Sequence, residues 1–123
     1  MKNVLLIDDD ENIYYAVSMV LQKPAYKIVY KKNTKDAYHF LLKEKENVDI
    51  VLLDLMMPSG PGLPFLKKLR RDSIDVPVIV LSALRTAKPA VDAMKAGAAD
   101  YITKPFDTKE LRDKVKEHLA KRS

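Results

Sequence analysis

Asp8 and Asp9 follow the apolar run Val4-Leu5-Leu6-Ile7, and Asp54 follows Ile50-Val51-Leu52-Leu53. Runs of this kind read as strands buried on both faces. On neighbouring parallel strands, all three acids would meet at one edge of a sheet. Like charges that close cannot all stay ionised without a counter-charge. A hard divalent cation would supply it, and an all-oxygen site suits Mg²⁺. The pattern predicts an acidic metal pocket with a spare carboxylate able to act as a nucleophile. Two more polar residues fall where strands should end: Ser82 after Pro77-Val78-Ile79-Val80-Leu81, and Lys104 just past Tyr101-Ile102. A buried structural acid pair would not explain a hydroxyl and an ammonium at the other strand ends.

The elements that must gather these residues alternate in type. Strands are expected at Asn3–Ile7, Lys27–Tyr30, Ile50–Leu53, Val76–Leu81 and Tyr101–Ile102. Between and after them run helical stripes: Ile13, Val17, Val20 and Leu21; Ala37, Phe40 and Leu41; Phe65, Leu66 and Leu69; Ala90, Val91 and Met94; Leu111, Val115 and Leu119. Pro64 and Pro89 sit where first turns are expected. Gly97 is placed to stop a helix, and Thr34 and Asp107 are the expected N-caps. Asp10 reads as the start of the first helix, where its charge suits the dipole. Strict alternation with short connections predicts an α/β fold, a parallel sheet with right-handed crossovers. In such a sheet chemistry sits outside the carboxyl ends of the strands, where Asp8, Asp9, Asp54, Ser82 and Lys104 all fall.

Composition narrows the classes. A length of 123 residues predicts one domain over 1–123, and 47% hydrophobic content suffices for a core. The absence of cysteine excludes disulfides and thiolate metal sites. The net charge of +5 is spread among acids, as in Lys109-Glu110-Leu111-Arg112-Asp113-Lys114, so it reads as solvated helix faces rather than a nucleic-acid surface. The segment before the first strand is too short for a signal peptide or a membrane span, so a cytoplasmic location is expected.

The segments Val4–Asp10, Asp49–Pro58, Pro77–Ala83 and Gly97–Phe106 resemble the receiver domain of two-component response regulators, over essentially the whole chain. The resemblance implies a flavodoxin-like, doubly wound five-stranded sheet in the order 2-1-3-4-5, with five helices. It makes Asp54 the phosphoacceptor. It makes Asp8, Asp9, Asp54 and the backbone carbonyl of Met56 the Mg²⁺ ligands, and Lys104 and Ser82 the groups that stabilise the phosphoryl oxygens. It implies a cis Lys104–Pro105 bond. The phosphodonor would be a sensor histidine kinase or a phosphotransfer protein, with the first helix around Asn12–Ser18 bearing on its choice. Such a chain catalyses its own phosphorylation and slow dephosphorylation and is not a conventional enzyme.

By itself Tyr101 reads as a half-buried strand aromatic. The resemblance makes Ser82 and Tyr101 a switch pair whose movement reshapes the face of the fourth helix, fifth strand and fifth helix, for an output partner or a homodimer. Met56 and Leu84 are apolar where a polar group could position water, which predicts slow hydrolysis of the aspartyl phosphate. Gly62 is expected to supply a positive-φ turn, and Gly60-Pro61 makes that loop unusual in sequence. The resemblance of Ala90–Gly97 and Lys104-Pro105-Phe106 to receivers attached to enhancer-binding ATPases hints at a DNA-binding output. Nucleic acid would then be met only through a domain absent from this chain.

A haloacid-dehalogenase-like phosphohydrolase is the alternative, with Asp8 as nucleophile and Asp10 as general acid. No later acidic pair follows, and Asp54 has no place in that scheme. A dinucleotide-binding module fares worse, for the first turn carries acids where a pyrophosphate needs backbone amides. A receiver-like module that only binds partners is disfavoured, because no expected acid, hydroxyl or lysine is missing.

Overall fold

The buried apolar runs become one parallel sheet in the computed structural model, which describes residues 1–122. Its strands are β1 (Lys2–Ile7), β2 (Tyr26–Lys31), β3 (Ile50–Asp54), β4 (Val78–Ser82) and β5 (Asp100–Thr103). They lie in the order β2-β1-β3-β4-β5, as expected. The helices are α1 (Glu11–Val20), α2 (Thr34–Glu44), α3 (Leu63–Arg71), α4 (Ala87–Lys95) and α5 (Thr108–Arg122), with a 3₁₀ turn at Lys45–Asn47. None of the described helices is long and apolar enough to cross a membrane.

Alternation along the strands divides the core in two. Leu5, Ile7, Val51, Leu53, Val78 and Val80 pack with residues of α2, α3 and α4 such as Leu41, Leu66 and Ala93. Val4, Leu6, Ile50, Leu52, Ile79 and Leu81 pack with Val17, Leu111 and Val115 of α1 and α5. The register sets Ile7 beside Leu53, Asp54 beside Leu81 and Ser82 beside Thr103, so the strand ends carrying the polar residues lie together.

Several local expectations are met. Asp10 caps α1 by accepting the Asn12 N–H at 2.9 Å, and Asp107 accepts the Lys109 N–H at 2.8 Å. Pro64 lies in the first turn of α3, and Gly97 ends α4 with φ +107°. Lys104–Pro105 is cis, as is Lys23–Pro24, which the sequence did not signal.

Others need correction. Asn33, not Thr34, caps α2: its side chain accepts the Asp36 N–H at 2.8 Å, and Thr34 is the first helical residue. Gly62 has φ −80°, and the positive φ of this loop, +135°, belongs to Gly60. Gly62 is needed for space instead. A Cβ there would lie 2.6 Å from the Asp54 carbonyl oxygen. Gly60-Pro61 pairs antiparallel with Met56-Met57, a two-rung hairpin beside β3. On α4, Ala93 enters the core while Val91 and Met94 stay exposed, so that helix turns part of its apolar stripe outward.

Candidate functional site

β1 and β3 are adjacent, so their ends deliver the acids to one place. Asp8 is fully buried, Asp54 nearly so, and Asp9 is exposed. Each offers a carboxylate oxygen within 4.8 Å of the others. Lys104, carried just past β5, reaches in from the far side of β4. Its Nζ lies 2.6 Å from Asp8 Oδ2 and 3.4 Å from Asp54 Oδ2. Asp8 Oδ1 accepts the Asp10 N–H at 3.0 Å, and Asp54 Oδ1 accepts the Met56 N–H at 3.1 Å.

Burial pushes the Asp54 carboxyl above its ordinary range. The Met56 N–H and the Lys104 ammonium work against that rise, and the Asp8 charge adds to it. One ammonium faces three carboxylates, so negative charge is left over. The donor set is all oxygen and tightly grouped, which fits a hard divalent cation. The remaining side of Asp54, toward Lys104, is where an anionic group would find its counter-charge.

Ser82, at the end of β4, is fully buried. Its Oγ accepts the Leu84 N–H at 3.1 Å, and its carbonyl accepts the Lys104 N–H at 2.7 Å. The half-buried Tyr101 packs against the α2–α4 side of the core, and its hydroxyl donates to the Leu84 carbonyl at 2.8 Å. Ser82 and Tyr101 therefore hold the same loop residue from two directions. Met56 and Leu84 line one cleft with Leu63 and Pro89. Met56 is 59% exposed, and Thr86, Lys88 and Asp92 line the outer part of the same cleft.

The structure thus brings Asp8, Asp9, Asp54 and Lys104 together directly and sets Ser82 one strand away. Asp10, which the hydrolase scheme would use as an acid, is spent on capping α1. Two features escaped the sequence reading. Arg85 Nη2 donates to the Lys104 carbonyl at 3.1 Å. On the outer edge of β5, Asp100 takes Lys114 at 2.8 Å and His118 at 3.0 Å. Both join residues far apart in the chain, and no local pattern marks them. Asp100, Glu117 and His118 also cluster closely enough for a metal, but the Lys114 ammonium already neutralises Asp100.

Comparison with known proteins agrees with this geometry. The family model "response regulator receiver domain" matches residues 4–116. The phosphate regulon transcriptional regulatory protein PhoB of Pseudomonas aeruginosa is 32% identical over 98% of this chain and 52% of its own length. The transcriptional regulatory protein KdpE of Staphylococcus aureus is 34% identical over 96% of this chain and 51% of its own. The chain spans about half the length of the curated relatives it matches. Among solved structures, the receiver domain of the Francisella response regulator 1452 has a TM-score of 0.91 at 31% identity, with both chains fully covered.

Proposed function

The chain belongs to the response-regulator receiver family, and on that footing we propose that it takes a phosphoryl group onto Asp54 from a phosphohistidine of a sensor kinase or phosphotransfer protein. The observation that carries this reading is the convergence of Asp8, Asp9 and Asp54 on one side and Lys104 on the other, at the carboxyl edge of the sheet.

Asp8, Asp9, Asp54 and the Met56 carbonyl would hold Mg²⁺, which when bound neutralises phosphoryl charge. A carboxylate oxygen of Asp54 attacks the phosphorus. The new O–P bond forms as the N–P bond breaks, and the imidazole leaves with the bonding pair. Phosphoryl transfer asks mainly for positioning and charge neutralisation. The Met56 N–H orients the Asp54 carboxylate, and Lys104 offers its ammonium to the phosphoryl oxygens. The Ser82 hydroxyl, which now accepts from Leu84, turns to donate to one of those oxygens. That turn alters the Leu84 loop and with it the seat of Tyr101.

The readout is a population shift at the face of α4, β5 and α5. The outward Val91 and Met94 support a partner or a second copy on that side. Met56 and Leu84 offer no group to position an attacking water, which makes the phosphorylated state long-lived. The curated relatives are transcriptional regulators, so a cytoplasmic chain that meets nucleic acid through a further domain is the matching setting.

The test is intact mass after incubation with acetyl phosphate and Mg²⁺, with and without EDTA. A gain of one phosphoryl group is expected in the native chain with Mg²⁺. It should be absent with EDTA and in Asp54→Asn. A gain that survives Asp54→Asn would overturn the assignment of the acceptor.

A further inference from the structure

Resting on that reading of the site, we propose that Arg85 is a positioning residue for Lys104. Arg85 lies in the loop between β4 and α4 and is itself exposed. The Lys104 N–H donates to the Ser82 carbonyl at 2.7 Å, and the Lys104 carbonyl accepts from Arg85 Nη2 at 3.1 Å. The peptide units on both sides of the Lys104 Cα are thus fastened to the end of β4 and to the loop that follows it. The first is a strand-end backbone bond that any residue can make. The second depends on the side chain at position 85.

Lysine carries its charge on a flexible four-carbon stem. Where its backbone sits decides which oxygens the ammonium can reach, and here it reaches Asp8 and Asp54 together. Fixing the base of the stem leaves less freedom to lose when a phosphoryl group arrives. The guanidinium suits the task, since it presents several donors in a rigid plane. Arg85 acts from outside the pocket and need not touch the phosphoryl group.

The experiment uses beryllofluoride as a phosphoryl stand-in on the full chain, read by tyrosine fluorescence at saturating Mg²⁺. Mg²⁺ affinity without beryllofluoride and thermal midpoints are measured beside it. Arg85→Ala should weaken beryllofluoride binding by roughly three- to tenfold, the effect of losing one ordinary hydrogen bond. Mg²⁺ affinity should change far less than beryllofluoride affinity, because the acids themselves are untouched. Arg85→Lys, whose ammonium keeps a donor of nearly the same reach for the Lys104 carbonyl, should restore most of the loss. In a Lys104→Ala background, Arg85→Ala should have no further effect. Undiminished binding in Arg85→Ala would overturn the proposal. So would an equal loss in the Lys104→Ala background, since Arg85 would then act on the anion itself. A native chain that takes up neither beryllofluoride nor acetyl phosphate would instead overturn the phosphoacceptor reading, and this inference with it.

Discussion

Lys104 Nζ sits closer to Asp8 than to Asp54, at 2.6 Å against 3.4 Å. Its first partner is therefore an acid of the proposed metal site, and the proposed nucleophile comes second. Removing one member of a buried ion pair leaves the other uncompensated, at a cost of about 3 kcal/mol. Lys104→Ala should lose stability of that order in EDTA and recover part of it with Mg²⁺, as read by urea denaturation. Equal deficits with and without Mg²⁺ would show that cation and lysine do not share a pocket.

Gly62 should be intolerant of even one carbon. Its Cβ would meet backbone atoms of Asp54 and Leu55 at 2.6 and 3.2 Å, and backbone cannot swing aside. Gly62→Ala should cost about 2 kcal/mol, in the range of core overpacking, and should slow phosphorylation by displacing Asp54. At Gly60 there is open space and only the positive φ resists. Gly60→Ala should therefore leave the acetyl phosphate reaction intact. Loss of that reaction in both variants would undo the distinction.

Ser82 and Tyr101 are tied to the two backbone groups of Leu84, its N–H and its carbonyl. Ser82→Ala should weaken the link between phosphorylation and the environment of Tyr101. Tyrosine NMR shifts that change identically on phosphorylating the native and variant proteins would count against it.

A polar group at the exposed Met56 edge should hasten loss of the phosphoryl group. Met56→Asn combined with Leu84→Glu is expected to raise the hydrolysis rate at least tenfold, since positioned acid–base groups contribute roughly 10²–10⁴. An unchanged decay, followed by mass spectrometry, would mean that water already has its place.

Asp100 carries a pH-dependent share of stability. Burial pushes its carboxyl up, but hydrogen bonds from Lys114, His118 and the Tyr101 N–H outweigh this and hold it below the ordinary 3.8. The unfolded chain then binds this proton more readily than the folded one. The contribution is fully present above the ordinary value and fades as pH falls through the lower, folded one. Asp100→Asn should be less stable at neutral pH, and its gap in urea midpoint should close in acid. A gap constant with pH would point to packing rather than charge.

The sheet and the acids were legible because they rest on local signals. Unbroken apolar runs such as Ile50–Leu53, bounded by polar residues, read as central strands, and strand-end acids announce themselves by following such runs. Edges were less legible. β2 extends to Tyr26 and Lys31, and β5 to Asp100 and Thr103, because pairing with a neighbour carries polar ends into the sheet. β4 begins at Val78, two residues later than expected. Val76 is buried there without joining the ladder, and Pro77 has no N–H to give it. Gly62 was misread because its constraint is a contact with Asp54 rather than a dihedral angle. Arg85 went unnoticed because an arginine in a loop announces nothing until the carbonyl it meets is known.

The two-sided core has a further consequence. Asp54 continues the alternation of Ile50 and Leu52, whose neighbours are α1 and α5, while Ser82 continues that of Val78 and Val80, whose neighbours are α2, α3 and α4. The sheet is thus a partition wall, with the row of Asp54 on one side and the row of Ser82 on the other. Its apolar body offers no polar path through. Whatever is written beside α1 can reach α4 only over the rim, through the few loop residues that close the strand ends.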